Sequence, residues 1–266
     1  MSFLNMIGKL TTTTNLLIKY IRFYGGARQC NICLRPVRKF FRFSEQLQGA
    51  AKDSGFQYEF RRMETLNVDN CNCPFCLSSD RERLYLLYLN RYIKGYSKQF
   101  PILDFAPSKA FINAVKRFKN VQYTSADFLR TDYDIQLDVC QMPNVENDAY
   151  EVVICSHVLE HVQYPDQALR EIFRVVAPGG LAILMVPIFT EVAQTVENPE
   201  YNTDELRCRY FGQSDHVRLF SKSDFIHRIE SAGFDLELID AKAFPSKDIQ
   251  RYAVAENSLL YICHKR

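Results

Sequence analysis

Tryptophan is absent from the 266 residues, and only 10 glycines and 10 prolines punctuate them. The 20 Phe and 15 Tyr make good the missing Trp, and with 47% hydrophobic and 24% charged residues the chain has a sizeable core, which excludes disordered and fibrous classes. No uncharged apolar run reaches the roughly 18 residues of a membrane-spanning helix, because Lys9 and Lys19 interrupt the most hydrophobic N-terminal stretch. That stretch lacks a small-residue cleavage site as well, so neither a transmembrane helix nor a signal peptide is read. Acid is missing from the front: residues 1–44 carry eight basic side chains (Lys9, Lys19, Arg22, Arg28, Arg35, Arg38, Lys39, Arg42) and no Asp or Glu, leaving residues 45–266 at net −6. Such a front end suits an anionic partner, whether nucleic acid, a lipid surface or a phosphorylated substrate. Nine cysteines without an export signal read as thiols or metal ligands, which places the chain in the cytoplasm.

At roughly 150 residues per domain the length suggests two units. Residues 1–26 form a basic segment with imperfect helical periodicity over 3–24, ended by Gly25-Gly26. Residues 27–79 hold two cysteine groups around alternating stretches, Phe40 to Phe43 and Phe56 to Phe60, which read as short strands of a small β-rich module. Within 80–94, Leu84, Leu87, Tyr88, Arg91 and Tyr92 recur near spacings of three and four, an amphipathic helix that Gly95 stops. From residue 99 apolar strands alternate with helices, so residues 80–266 are expected to form an α/β domain with a parallel sheet, whose last strand, SLLYICHK, is free to return antiparallel at the edge.

Cys30-x-x-Cys33 and Cys73-x-x-Cys76 have the spacing that lets both thiolates of a pair bind one tetrahedral zinc, and four thiolates leave no open position, so the site is expected to be structural. The 39 residues between the pairs exceed the usual spacing of about 15–20, and Cys71 stands as a fifth candidate. Buried free thiols are the alternative, and the better reading for the isolated Cys140, Cys155, Cys208 and Cys263.

The glycine distribution decides the nucleotide chemistry. Between Gly95 and Gly179 there is not one glycine, whereas a phosphate-cradling loop of the ATP or NAD type needs several. A cofactor without a pyrophosphate demands less of that turn, and S-adenosylmethionine is such a cofactor. Three acidic side chains fall where this cofactor needs them: Asp104 ends the first strand, and Asp127 ends the second, 23 residues later, where a carboxylate accepts from a ribose diol. Asp138 follows the third run and is placed for an adenine amino group, with Val139 and Cys140 lending backbone contacts. Each of the three taken singly is also a plausible turn or helix-capping aspartate.

The segments ILDFAPSKA, TSADF, LDVCQMP, YEVVICSHVLEHV, LREIFRVVAPGGLAILMVP and DHVRLFSKSDFIHRIESAGF together resemble a class I S-adenosylmethionine-dependent methyltransferase, over residues about 101–240. Most specific is VVICSHVLEHV followed by a helix and the turn VVAPGG. More narrowly, the chain is similar to bacterial methyltransferases with an N-terminal cysteine module and a late F-G-Q-x-D-H-V-R segment, here Phe211 to Arg218, often met among surface-polysaccharide genes. The resemblance implies a Rossmann-like seven-stranded sheet with an antiparallel last strand, preceded by a zinc-ribbon-like module. It puts the cofactor over the first turn, at Ala106 and Pro107, and beside Ser156 and His157 after the fourth strand. Ala106 and Ser108 stand where the usual first motif has glycines.

Methyl transfer is an in-line displacement on a sulfonium, and a hydroxyl acceptor needs a base to take its proton. His216 is the expected base, oriented by Asp215 or another nearby carboxylate, with Arg218 holding the acceptor. His157 and His161, at i and i+4, are expected on one helical face, His157 on the cofactor and in the chemistry, His161 on the acceptor side; either is the base if His216 is structural, and a metal pair there is disfavoured for want of a third ligand. The leading expectation is therefore transfer to a hydroxyl of a sugar, glycan or other small molecule by a cytoplasmic enzyme, touching an anionic inner-membrane face through residues 1–44. One alternative is an RNA methyltransferase that docks RNA on the zinc module. Against it, Ser156-His157-Val158-Leu159 stands where an amino-methylating enzyme would carry N/D-P-P-Y. The other alternative is a non-catalytic scaffold.

Overall fold

The structure, a computed structural model, describes residues 20–95 and 99–266. The helix expected over 3–24 lies mostly outside the described residues; residues 20–23 are helical. Gly25-Gly26 does not end a helix in a loop: it lies inside strand β1 (Tyr24–Gln29), where both glycines take positive φ and the pairing with β2 (Pro36–Val37) shifts register. Among the described residues no helix is long and apolar enough to cross a membrane.

Residues 100–266 build a seven-stranded sheet: β3 (Phe100–Phe105), β4 (Val121–Asp127), β5 (Ile135–Gln136), β6 (Tyr150–Ser156), β7 (Val176–Met185), β8 (Asp235–Asp240) and β9 (Leu259–His264), in the order β5-β4-β3-β6-β7-β9-β8. The first five strands are parallel, and β9 runs antiparallel to both β7 and β8. The antiparallel last strand is thus present, but inserted between β7 and β8 rather than at the edge. The reason is burial: Leu260 to Cys263 are at most 1% exposed, and a strand that apolar needs a neighbour on each side. Ile102-Leu103, Val152 to Cys155 and Leu181 to Met185, also at most 1% exposed, make the centre of the core.

Helices start where side chains take up orphan backbone donors. Ser79 and Glu82 close a capping box on α2 (Asp80–Ile93), after α1 (Glu45–Asp53) in the N-terminal module. Ser108 caps α3 (Lys109–Val115), and Pro165 opens α4 (Pro165–Val175). Three helices complete the chain: α5 (Asp204–Phe211), α6 (Lys222–Ser231) and α7 (Ser246–Arg251).

The strands expected at 40–43 and 56–60 are not formed. Phe41 makes a single bridge to Asn72, Phe60–Arg62 is a 3-10 turn, and α1, capped by Ser44 on Leu47 N at 3.2 Å, fills the space between. The alternating rings serve an aromatic cluster instead of a sheet: Phe43, Phe56 and Phe189 surround Phe60 with centroids 5.1–6.0 Å apart. Phe189 follows β7, so the module shares its core with the sheet domain. Arg83 adds a polar pin: fully buried, it donates to the carbonyls of Cys71, Ser78 and Asn70 on one side and of Tyr252 and Ala253 on the other, at 2.6–3.2 Å.

Candidate active site and cysteine cluster

The parallel register puts the carboxyl ends of β3, β4 and β6 side by side, Phe105 facing Ala126 and Cys155. The expected cofactor residues Ala106, Pro107, Asp127, Ser156 and His157 all fall on this edge. Ala106 is exposed at φ +51°, so the turn keeps the left-handed conformation a glycine would favour, at a cost of roughly 1–2 kcal/mol. Asp127 is half-buried, and its Oδ1 accepts from the amides of Leu129 and Arg130 at 2.9 Å each, which holds the turn after β4. Next to it Phe128 is 60% exposed. Asp138 accepts from the amide of Cys140 at 2.8 Å, and Val139 is buried.

Asp104 departs from its expected role. It is 2% exposed, and its Oδ2 accepts from the Tyr123 hydroxyl at 2.6 Å; burial pushes its carboxyl well above the usual range. Its side chain ties β3 to β4 through Tyr123.

Beyond β6 and β7 a cavity of about 290 Å³ is walled by Phe60, Met63 and Phe189, and its polar side is formed by Arg81, His157, Glu160, His161 and His216. His157 and His161 do not share a helical face: residues 157–161 are a turn, His157 has φ +58°, and α4 begins only at Pro165. Proximity is recovered differently. His216 comes from the segment after α5, where Gly212, at φ +85°, caps the helix and reverses the chain. Val217 N then bonds to Glu160 O at 2.9 Å. The result is a carboxylate among three imidazoles: Glu160 Oε1 lies 3.4 Å from His157 Nδ1, 3.9 Å from His161 Nε2 and 4.0 Å from His216 Nε2.

Burial pushes Glu160 up to about 8, His216 down to about 4, and His157 well below the usual imidazole range. Asp215, two-thirds exposed, approaches His161 rather than His216; its backbone oxygen is 3.0 Å from His161 Nδ1. Arg218 is not an acceptor ligand. It is 1% exposed, and its guanidinium donates to the carbonyls of Leu159, Val162 and Gln163 and to Glu197. It stitches the 157–163 turn to the loop that carries His216.

Glu160, Arg81 and Phe128 were not singled out from the sequence. Glu160 sits beside His161 and three residues after His157, a spacing that was the available signal. Arg81, on the first turn of α2, projects to the cavity with its buried Nε unpartnered. An unpaired guanidinium nitrogen at the cofactor side suits the carboxylate of an S-adenosylmethionine tail, and the exposed Phe128 face suits its adenine, so the residues present fit this cofactor.

The cysteines assemble as spaced. Cys30, Cys33, Cys73 and Cys76 have sulfurs all within 4.8 Å, with Cys30–Cys76 at 3.7 Å and Cys33–Cys73 at 3.8 Å. Four sulfurs about 2.3 Å from a central zinc stand roughly 3.8 Å apart, so the donor set fits that ion. The two loops are built alike: Leu34 N bonds to Cys30 O at 2.8 Å and Leu77 N to Cys73 O at 2.9 Å, with Leu34 and Leu77 both left-handed. Cys71 stands apart, its thiol directed at Asp80 Oδ1, 3.7 Å away.

Solved structures similar to this chain include the cyclase SpnF (18% identity, TM-score 0.47, covering 65% of this chain and 66% of that one). A Bacillus halodurans protein described as a putative methyltransferase matches with 20% identity and TM-score 0.41, over 66% of this chain and 94% of its own. An Archaeoglobus fulgidus SAM-dependent methyltransferase matches with 12% identity and TM-score 0.43, over 70% and 94%. No curated protein matches. A family model described as a methyltransferase domain matches residues 83–239, from within α2 to within β8. That span contains the cofactor edge and the histidine cluster, and the chain belongs to this family: it is an S-adenosylmethionine-dependent methyltransferase.

Proposed function

We propose that the enzyme methylates a hydroxyl oxygen of a sugar, glycan or other small acceptor held in the cavity beside His157. The observation that carries this reading is the placement of His157: it is the first residue after β6, next to the cofactor edge, and its imidazole opens on the cavity. A volume of about 290 Å³ walled by aromatic rings suits a small acceptor better than a polynucleotide, which favours this reading over RNA.

S-adenosylmethionine, when bound, supplies a methyl group on a sulfonium. Asp127 would hold the ribose hydroxyls, Phe128 the adenine face, and Arg81 a carboxylate. His157 would take the proton of the acceptor hydroxyl while that oxygen accepts the methyl group, and the cofactor would supply the carbon and keep the C–S electron pair on its sulfur. The apolar walls exclude water, which would otherwise compete as acceptor. His216, expected as the base, lies deeper, and with His161 it frames Glu160. Sugar specificity and any contact of residues 1–44 with an anionic surface belong to this proposal, as does a structural zinc on the cysteine cluster.

A positioned imidazole is worth about 10²–10⁴ in rate, so His157→Ala should lower turnover on a hydroxyl acceptor by that factor even at saturating S-adenosylmethionine. Turnover by the variant equal to that of the wild type would remove His157 from the chemistry.

A further inference from the structure

Glu160 is 1% exposed, and neither of its carboxylate oxygens has a hydrogen-bond partner. A buried carboxyl group without partners is costly whether it is protonated or not, and its charged form persists only where something cationic answers it. Two arginines act on it by charge, and neither hydrogen-bonds it: Arg218 spends its two terminal nitrogens on carbonyls and Glu197 with its Nε unpartnered, and Arg81, across the cavity, also has its Nε unpartnered. What faces Glu160 instead is imidazole nitrogen.

We propose that Glu160, His161 and His216 form a binding site for one divalent transition-metal cation, open to the cavity, which takes an oxygen of the acceptor. Their ligating atoms all lie within 4.8 Å of one another. The separations of 3.9 and 4.0 Å between Glu160 Oε1 and the two Nε2 atoms are too long for hydrogen bonds. They fall within the range of about 3–4.2 Å that separates two ligands each roughly 2.1 Å from one ion. The rings meet edge-on, with centroids 4.7 Å apart and planes at 85°, so their nitrogens converge instead of stacking away.

The surroundings select the right tautomer. His161 Nδ1 is 3.0 Å from the Asp215 carbonyl, to which it donates, and that leaves the Nε2 lone pair directed at Glu160. Two imidazoles and one carboxylate suit Mn²⁺, Fe²⁺ or Co²⁺ and leave coordination positions free. His161 is one-third exposed and gives the ion a way in, while Glu160 and His216 are buried. A cation here would bind and orient an acceptor oxygen beside His157, which remains free to take its proton. That use of the ion rests on the acceptor reading above; the ion site itself does not. It is also separate from the thiolate cluster, which is a far softer donor set.

The test is titration of the full, zinc-loaded chain with Mn²⁺, followed by the electron paramagnetic resonance of free Mn²⁺, with S-adenosylmethionine calorimetry on the same preparation. We expect one saturable Mn²⁺ per chain and at least about tenfold weaker binding in Glu160→Gln and in His216→Ala. Co²⁺ added to the wild type should give d–d bands of nitrogen and oxygen ligation, which keeps the question decidable if a variant fails to fold. Wild-type protein that binds S-adenosylmethionine yet takes up no Mn²⁺ or Co²⁺ at millimolar concentration overturns the ion site and leaves methyl transfer standing. Undiminished Mn²⁺ binding in folded Glu160→Gln overturns it equally.

Discussion

Ser108, the N-cap of α3, and Glu82, the capping-box partner of Ser79 on α2, are hydrogen-bonded to one another: the Ser108 hydroxyl meets Glu82 Oε1, while Glu82 Oε2 accepts from Ser79 N at 2.7 Å. The turn after β3 is therefore braced by side chains in place of the glycines its relatives in sequence would carry. Between Asp104 below and Ser108 beyond, Ala106 is left to adopt the left-handed backbone alone.

Ala106→Gly should relieve that strain. Left-handed alanine costs roughly 1–2 kcal/mol, and glycine returns about 0.5–1 kcal/mol of it to the unfolded chain, so a net gain near 0.5–1 kcal/mol is expected. At this chain length that raises the melting midpoint by about 1–4 °C. Calorimetric melting decides it; a lower midpoint would mean the turn is not strained.

Asp127→Ala should weaken S-adenosylmethionine binding by roughly 10- to 150-fold, the worth of about 1.5–3 kcal/mol for hydrogen bonds to a carboxylate. Because Asp127 Oδ1 also caps the turn to Leu129 and Arg130, Asp127→Asn is the better control: it keeps the turn acceptor and should lose less. Titration calorimetry on folded variants checks both values.

One zinc per chain is expected on Cys30, Cys33, Cys73 and Cys76. Removing it with a chelator should unfold the module, whose small β1–β2 sheet is too slight to hold alone, and Cys33→Ser should do the same. Cys71→Ser should keep the metal, since its thiol points to Asp80. Metal analysis of a fully folded preparation with well under one zinc per chain would count against the site.

Arg218→Ala should destabilise the fold by about 3–5 kcal/mol, because three carbonyls and Glu197 lose a buried charged partner at once. Arg218→Lys should rescue little: an ammonium has no planar fork to serve acceptors on several sides. A melting midpoint unchanged in Arg218→Ala would show that the turn at 157–163 holds without this stitch.

Much of this protein was legible in its sequence, for a common reason: the signals were local. A buried strand needs an unbroken apolar run, a helix a periodic one and a cap, and these periods named the strands from β3 to β9 and helix α2 before any coordinates. A C-x-x-C pair is likewise self-contained, so the four ligating thiols could be chosen on spacing, and the excess of 39 intervening residues did not matter once the chain folded back. Only tertiary structure could decide the rest. The rings at 40–43 and 56–60 alternate as a strand would, yet Phe189, more than 120 residues away, takes them into a cluster. Arg218 reads as a ligand because an arginine in a late loop is usually solvated; here three carbonyls claim it. Glu160 was passed over beside a histidine, because a carboxylate acquires its meaning from what surrounds it. That environment is made by residues 157–161 and 213–218, joined through Val217 and Arg218, and the free energy that brings two distant segments together is written in neither of them alone.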